Sequence, residues 1–448
     1  MRILSKLCIL SPMTAFPAAE GEEIFCKVCA SNLLGRGWTG FPVAEKWRQL
    51  KEQQGEKEIV CLLSGDCAAA LMATNPEAVF YGTAIAARAF GETRAWIVCD
   101  REYPMIPNEY GGVHLQTARI PHSLSSGEET RVFAAVEGGT PIAGLQPPYP
   151  VQRGLFGRPT LIQSGELLAH LPYLLAGEDQ DTKIVQFCGD IADPGFAEIR
   201  LGTPLSTVIQ EAGVKEAKAV QVGGPNGAFL SAESIVPFVL GSEFFVGDGS
   251  IRIISWERCM AQEVYLCLEK ASRASCGKCV FCREGLYQQF LIWRDLVGGK
   301  AVDDDWETIR DLAEVIVQHA SCGFGRSAGK MILSALALAP EEIEQHITRK
   351  RCAAMVCPGM FSLYILGDKC QGCGLCKERC GMNAISGVEG LIHLIDQGRC
   401  TQCLDCLVCP YTAMQRIPAK ALPPAVPDRP IPVGSFVPRK KGLQKRAK

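Results

Sequence analysis

The sequence lacks a long apolar run. No stretch of about 18 apolar residues occurs, which excludes a membrane-spanning helix on this reading. It also lacks net charge: 46 Lys and Arg stand against 48 Asp and Glu, a balance of −2, so there is no whole-chain electrostatic footprint for nucleic acid. Disorder-prone composition is missing until the proline-rich and basic end, and 47% hydrophobic with 21% charged residues reads as a soluble globular chain of several domains. A secretory leader is not read at the start, because Pro12 and Thr14 interrupt the short apolar run between Lys6 and Ala18. What is present in excess is cysteine. Most of the 23 fall in tight clusters in the second half, unlike the scatter of a secreted disulfide framework. That pattern predicts metal ligation in a reducing compartment, hence a cytoplasmic protein.

The densest information lies between Ala274 and Gly325. ASCGKCVFCREG places Cys276, Cys279 and Cys282 in one tight loop, and SCGFG returns Cys322 after two helix-like segments. Four thiolates are the ligand count of one iron–sulfur cluster. Leu286, Phe290, Trp293 and Val297 recur at helical spacing and form core. Asp305 is expected to cap a second helix carrying Ile309, Leu312 and Ile316, and a third helix is expected over 330–338. His319, one turn before Cys322, either tunes the cluster or is an ordinary core or solvated histidine.

Two further runs follow. DKCQGCGLCKERC carries Cys370, Cys373, Cys376 and Cys380, and RCTQCLDCLVCP carries Cys400, Cys403, Cys406 and Cys409. Paired runs of this kind are the sequence of a two-cluster bacterial-type ferredoxin, in which the fourth Cys of each run serves the other cluster. One set is therefore Cys370, Cys373, Cys376 and Cys409; the other is Cys400, Cys403, Cys406 and Cys380. Gly381 stands where proline is usual, and the last interval of the second run is one residue short. Ahead of the runs, HITRKRCAAMVC offers His346, Cys352 and Cys357, with Cys259 as the unassigned thiol to complete a tetrahedral zinc site; the alternative is structural cysteine. After Tyr411 the proline-rich end reads as an extended arm able to wrap a partner.

In the first part of the chain, LLGRGWTGFPVAEKW sets Gly35, Gly37 and Gly40 around Arg36 just before a helix, either a phosphate-cradling loop or a plain turn. An apolar strand at 59–63, a helix at 78–90 and a strand at 95–98 alternate as in an α/β layer with a mostly parallel sheet. From Phe196, FAEIRL reads as a strand, Thr203 as the cap of a helix ended by Gly213, and AVQVGGPNGAF as strand, turn and strand.

GRGWTGFP, GEET at 127–130, GLFGRPT at 154–160 and the cysteine sets together resemble the NADH-oxidising flavoprotein subunit of respiratory complex I. They resemble still more the ferredoxin-extended subunits of soluble NAD-linked hydrogenases and formate dehydrogenases. The resemblance runs from about Ser31 to Met414. It implies an α/β flavin-type domain, a β-grasp domain, a helical iron–sulfur bundle and a C-terminal two-cluster ferredoxin domain. It further implies that Gly35, Arg36, Gly37, Lys46, Glu128 and Glu129 surround FMN, with NAD(P)H beside it, and that the partners are other subunits of a redox complex, such as a [2Fe-2S] subunit and a hydrogenase- or formate-dehydrogenase-like subunit. The β-grasp unit shows no polar constellation and reads as a packing spacer.

The sequence departs from that pattern at the hydride site. CLLSGDCAAAL replaces the acidic stretch after the first strand, Gln163-Ser164 replaces a paired Asn, Gln146 replaces a Lys, and the aromatic expected after Trp47 is absent. Each unpaired polar group of a buried ligand costs roughly 1–3 kcal/mol, so flavin and nucleotide binding are expected to be weak. Expected boundaries are 1–195, 196–265, 266–350, 351–417 and 418–448. Two functions compete: an iron–sulfur subunit of an NADH-dehydrogenase-like complex with three [4Fe-4S] clusters, or an electron-transfer scaffold that has lost FMN and NADH.

Overall fold

The computed structural model describes residues 19–36, 40–124, 127–178, 182–231 and 247–437. The chain forms two compact units. The first runs to Trp256 and takes in Leu266–Phe290 and Arg310–Leu338; the second comprises Glu257–Tyr265, Leu291–Ile309 and the chain from Ala339 onward. Among the described residues no helix is long and apolar enough to cross a membrane.

The first unit begins with helices α1 (Gly21–Ala30) and α2 (Val43–Lys51), then β1 (Glu58–Leu63), α3 (Gly65–Thr74), α4 (Pro76–Ala89), β2 (Arg94–Cys99), β3 (Glu109–Tyr110), β4 (Val113–Arg119), α5 (Glu129–Val136), β5 (Thr160–Ser164) and α6 (Gly165–Ala176). The strands make one sheet in the order β3-β4-β2-β1-β5, parallel from β4 to β5 with β3 antiparallel at the edge. β1 is buried at every position. That is why its apolar residues run without alternation: a parallel strand covered on both faces has no polar side. Asn75 starts α4 by accepting the Ala78 N–H at 3.3 Å, with Pro76 in the first turn. Gly82 lets α4 lie against α6, since a Cβ there would come within 1.8 Å of the Leu168 carbonyl oxygen. Trp47 of α2 is fully buried against Phe25 and Phe90.

A second sheet follows in the order β7-β6-β10-β8-β9, from β6 (Thr182–Gly189), β7 (Gly195–Arg200), β8 (Ala219–Val222), β9 (Ala228–Leu230) and β10 (Ser250–Ile254), with helix α7 (Leu205–Glu211) between β7 and β8. The sheet takes in β6 ahead of residue 196, because β6 and β7 pair as a hairpin over Thr182–Arg200. Thr203 does not cap α7. Its hydroxyl donates to the Arg200 carbonyl at 2.7 Å, and Pro204 occupies the cap. Gly213, with φ of 76°, ends the segment as expected of a left-handed position.

Five helices come next: α8 (Met260–Ala274), α9 (Val280–Val297), α10 (Asp305–His319), α11 (Gly323–Leu338) and α12 (Pro340–Thr348). α8 runs across the boundary expected at 265. Asp305 is the first residue of α10 rather than its cap, and its carboxylate reaches back to accept the Val302 N–H at 2.8 Å. α11 begins well before Lys330, because Gly325 and Gly329 act as contact points rather than breakers. A Cβ on Gly325 would meet Ala320 at 2.7 Å and Cys282 at 3.3 Å, and one on Gly329 would meet Val317 at 2.7 Å.

The second unit ends in a module with an internal repeat. β11 (Phe361–Ile365) pairs with β14 (Met414–Pro418), as β13 (Leu394–Ile395) pairs with β12 (Ile385–Ser386); a short helix, α13 (Leu375–Glu378), follows the first cysteines. The Cys370 N–H donates to the Leu366 carbonyl and the Cys400 N–H to the Asp396 carbonyl, each at 3.0 Å. Left-handed residues recur in register: Gly372 with Gln402, Gly374 with Leu404, Asn383 with Thr412. The Leu366 N–H donates to Ala413 and the Asp396 N–H to Ala384, each at 2.8 Å. The residue missing from the second run is absorbed between Cys406 and Cys409, and the register resumes beyond it.

The proline-rich arm folds back on this same module. Ile392 donates to the Ile431 carbonyl at 2.8 Å, Val433 donates to Gly390 at 3.0 Å, and the Phe436 ring lies where a Cβ on Gly367 would fall, 2.6 Å away. Ile431, Val433 and Phe436 thereby join its core. The arm buries apolar side chains that composition alone concealed. The basic residues after 437, and the chain start before 19, lie outside the described residues.

Candidate metal centres and the first-unit site

Cys276 and Cys279 lie in the loop entering α9, Cys282 lies in its first turn, and Cys322 immediately precedes α11. The structure brings the four within electrostatic reach of one another, since Cys282 and Cys322 each feel the other thiols of the set. Burial pushes the Cys282 thiol up to about 12, eased by Ser275 and aggravated by Cys279, Cys322 and Cys276. Cys279 moves the other way: burial raises it, but hydrogen bonds from Ser321 and Cys282 outweigh that and hold it below the usual thiol range. Four thiolates gathered at one centre need cationic charge between them, which iron supplies. His319 meets the Phe281 ring at a tilt of 34°, with ring centroids 5.0 Å apart.

The repeat in the second unit makes two matching cavities. One, of about 320 Å³ with its open mouth, is lined by Cys370, Cys373, Cys376 and Cys409 together with Ile365, His393 and Tyr411. The other, of about 330 Å³, is lined by Cys400, Cys403, Cys406 and Cys380 together with Ile395, Leu363 and Met382. The fourth cysteine crosses over in each because β14 and β12 carry it to the opposite half. Cys376 is pushed up to about 11 by burial and then by Cys370, Cys409, Cys373 and Cys406. Cys406 is also pushed up to about 11, by burial against the relief of its own backbone N–H, and by Cys400, Cys403 and Cys380.

Cys259, His346, Cys352 and Cys357 form a fourth constellation, all buried, with their ligand atoms within 4.8 Å of one another. His346 Nε2 lies 3.3 Å from the Sγ of both Cys259 and Cys357, and those two sulfurs are 3.4 Å apart. Its Nδ1 lies 2.7 Å from the Glu342 carbonyl, which only accepts. Nδ1 therefore carries the proton, and Nε2 presents its lone pair to the sulfurs, the tautomer a metal-binding imidazole needs. Hydrogen bonds from Cys259 and Cys357 hold Cys352 far below the usual thiol range, while hydrogen bonding to Cys352 and Cys357 drives Cys259 well above it. One thiolate is accommodated readily and further ones resist, so a dication is what the donor set lacks.

In the first unit the described residues expected around a flavin make contacts within the protein. Lys46 pairs with Glu129 at 2.5 Å and donates to the Ile162 carbonyl at 2.9 Å. Glu128 caps α5, accepting the Arg131 N–H at 2.8 Å and the Thr130 hydroxyl at 2.7 Å. Gly35 is pinched against Phe41, donating to its carbonyl at 2.9 Å, and the buried Arg36 donates to the Leu34 carbonyl at 2.7 Å. Gly37 lies outside the described residues. Where the acidic stretch is missing, the Gly65 N–H donates to Asp100 at 2.8 Å, and Arg101 pairs with Asp66 at 3.1 Å. Burial raises the Asp100 carboxyl, but Gly65, His122 and Arg101 together bring it below the usual range. Gln163 on β5 is the exception: its Oε1 is buried and has no hydrogen-bond partner. Sequence reasoning missed His393 and the Lys183–Glu166 pair, buried at 3.0 Å. Aligning the two cysteine runs would have exposed His393, opposite Leu363; nothing local marks Lys183.

Residues 263–346 match the NADH-ubiquinone oxidoreductase-F iron-sulfur binding region. The chain is 30% identical over 420 residues to the HndC subunit of the NADP-reducing hydrogenase of Solidesulfovibrio fructosivorans, covering 83% of this chain and 85% of that one. It is 27% identical over 376 residues to the F subunit of NADH-quinone oxidoreductase in Aquifex aeolicus, covering 75% and 88%. A chain in the crystal structure of NAD+-reducing [NiFe]-hydrogenase in the H2-reduced state superposes with a TM-score of 0.68 at 26% identity, over 73% of this chain and 63% of that one. The cysteines of the bundle fall inside the matched iron–sulfur region, and the chain belongs to the family of NADH-quinone oxidoreductase F subunits and NAD(P)-reducing hydrogenase subunits.

Proposed function

We propose that this chain is the iron–sulfur electron-transfer subunit of an NAD(P)H-linked oxidoreductase complex, with three [4Fe-4S] clusters and one zinc ion. The observation that carries the reading is the pair of matching cavities, each lined by four cysteines drawn from both runs. Cys276, Cys279, Cys282 and Cys322 would hold the first cluster, Cys370, Cys373, Cys376 and Cys409 the second, and Cys400, Cys403, Cys406 and Cys380 the third. When bound, such clusters store and pass single electrons. The protein's part is to supply thiolates at fixed spacing, exclude water with Ile365 and Ile395, and hold the two ferredoxin-type sites in one module. Cys259, His346, Cys352 and Cys357 would hold zinc as a closed structural site.

The domain reading goes with it: an α/β flavin-type domain, a β-grasp domain that takes in β6 from Thr182, a helical cluster domain that begins with α8, a ferredoxin domain at 351–417, and the arm from 418. The β7-β6-β10-β8-β9 order supports the β-grasp assignment. The first domain does not fit FMN as it stands. Lys46 is taken by Glu129, Glu128 by its own helix and Gly65 by Asp100, which leaves Gln163 Oε1 as the buried group open to a ligand. Flavin and NAD(P)H binding there is weak on this reading, and no hydride step is assigned to it. Those same self-contained ion pairs favour the second reading, a scaffold without nucleotide chemistry.

Purified protein decides between them. The first reading expects about twelve iron and twelve sulfide per chain, and flavin released on denaturation at a fraction of one equivalent. Flavin at zero even after reconstitution selects the scaffold. Iron near zero overturns both.

A further inference from the structure

The internal repeat allows the two ferredoxin-type sites to be compared position by position within one chain. Their linings match almost throughout: Ile365 with Ile395, Gln371 with Thr401, Ala413 with Ala384, Tyr411 with Met382. Tyr411 against Met382 gives the Cys370 cavity a phenol, and two further differences carry polarity. Leu363 and His393 precede the equivalent residues Leu366 and Asp396 by the same interval, so the Cys400 cavity has an aliphatic side chain where the Cys370 cavity has an imidazole. Beside the third cysteine of each run, Cys376 is followed by Lys377, whereas Cys406 is preceded by Asp405 and followed by Leu407.

His393 is almost wholly buried. Its Nδ1 lies 3.1 Å from the Leu391 carbonyl, and its Nε2 is buried with no hydrogen-bond partner. Lys377 is held over the same region by donating to the Gly387 carbonyl at 2.8 Å, and a Cβ on Gly387 would meet the His393 ring at 2.8 Å. An orphaned buried nitrogen costs roughly 1–3 kcal/mol, a penalty removed when a partner fills the cavity. The Leu391 carbonyl only accepts, so Nδ1 already carries a proton; Nε2 donates to sulfide or thiolate, which are acceptors, when the ring holds both protons, the state that an anionic cluster beside it favours. Donors and cationic charge near an anionic cluster favour its more negative, reduced state.

We infer that the two ferredoxin sites are inequivalent: His393 and Lys377 hold the Cys370 site at the higher reduction potential, so that an electron entering the module comes to rest there. The inference rests on the reading of both cavities as [4Fe-4S] sites. Asp405 acts in the same direction by raising the cost of negative charge at the Cys400 site.

The test is an anaerobic redox titration of the full chain followed by electron paramagnetic resonance, on wild type, His393→Leu and Leu363→His, with iron counted in each sample. Wild type should show two separated midpoints from the module. His393→Leu should shift the higher one down by at least about 59 mV, a tenfold change in the reduced-to-oxidised ratio at fixed potential. Leu363→His should raise the lower one. Full iron with both midpoints unmoved in both variants overturns the inference. If His393→Leu loses iron, Leu363→His decides alone: a raised lower midpoint supports the proposal and an unmoved one sinks it. Wild-type protein without the two module clusters removes the underlying reading and this inference together.

Discussion

His346 Nε2 stands 3.3 Å from Cys259 Sγ although 87 residues separate them, and it keeps the same distance from Cys357. The contact joins the start of α8 to the end of α12 and the following loop, so a metal there would fasten three segments at once. About one zinc per chain is expected, in addition to iron. His346→Ala should abolish it and lower the denaturant midpoint of the second unit, because binding free energy at a closed site is folding free energy. Zinc retained at full occupancy in that variant would remove His346 from the ligand set.

Cys322 is the only ligand of its set that does not come from the loop at 276–282, so its loss opens the site on one side. Cys322→Ser should lower iron by about four per chain and leave zinc unchanged. The helices α9 and α11 should then exchange amide hydrogens faster near Cys282 and Gly325, where a Cβ on the glycine would come within 3.3 Å of Cys282. Iron content equal to wild type would contradict the assignment.

His170 on α6 gives a pH prediction with a definite sign. Burial, then the nearby Arg36 and Lys183, hold its imidazole down at about 3, against an ordinary value near 6.5. The folded state therefore refuses a proton that the unfolded chain accepts. Its contribution is intact above pH 6.5 and is lost progressively as pH falls toward 3. Between pH 6.5 and pH 5 the loss is about 2 kcal/mol, at about 1.4 kcal/mol per unit. In His170→Gln the denaturant midpoint should fall less over that interval than in wild type, whatever its value at neutral pH. Equal slopes would show that His170 protonates normally in the folded protein.

The grouping of the ferredoxin-type cysteines into two crossed sets was legible because such spacing survives in sequence without any knowledge of packing. The same is true of β1, whose unbroken apolar run requires cover on both faces. What sequence hid were features whose cause lies far along the chain. Gly325 and Gly329 read as breakers because their purpose, room for Cys282, Ala320 and Val317, appears only when the helices meet. The arm read as extended because proline content says nothing about Gly367, whose missing side chain makes space for Phe436. Lys46 and Glu129 were each read as facing a ligand, yet they face each other. Short-range chemistry was visible; reciprocal satisfaction of distant groups was not.

That reciprocal satisfaction bears most directly on NADH. A dinucleotide and flavin would have to compete with Glu129 for Lys46 and with Asp100 for the Gly65 N–H. Gln146 and Gln163 offer neutral groups where the family resemblance expects a Lys and an Asn. Each charge-assisted hydrogen bond not made is worth roughly 1.5–3 kcal/mol, and about 1.4 kcal/mol is tenfold in affinity. Two or three such losses weaken binding by orders of magnitude. The chain incubated with excess FMN should therefore show little reduction of flavin or clusters when titrated anaerobically with micromolar NADH. Glu129→Gln, which removes the charge competing for Lys46, should raise flavin retention relative to wild type. Prompt bleaching of the wild-type protein at micromolar NADH would show that these ion pairs open without cost and that the site is intact.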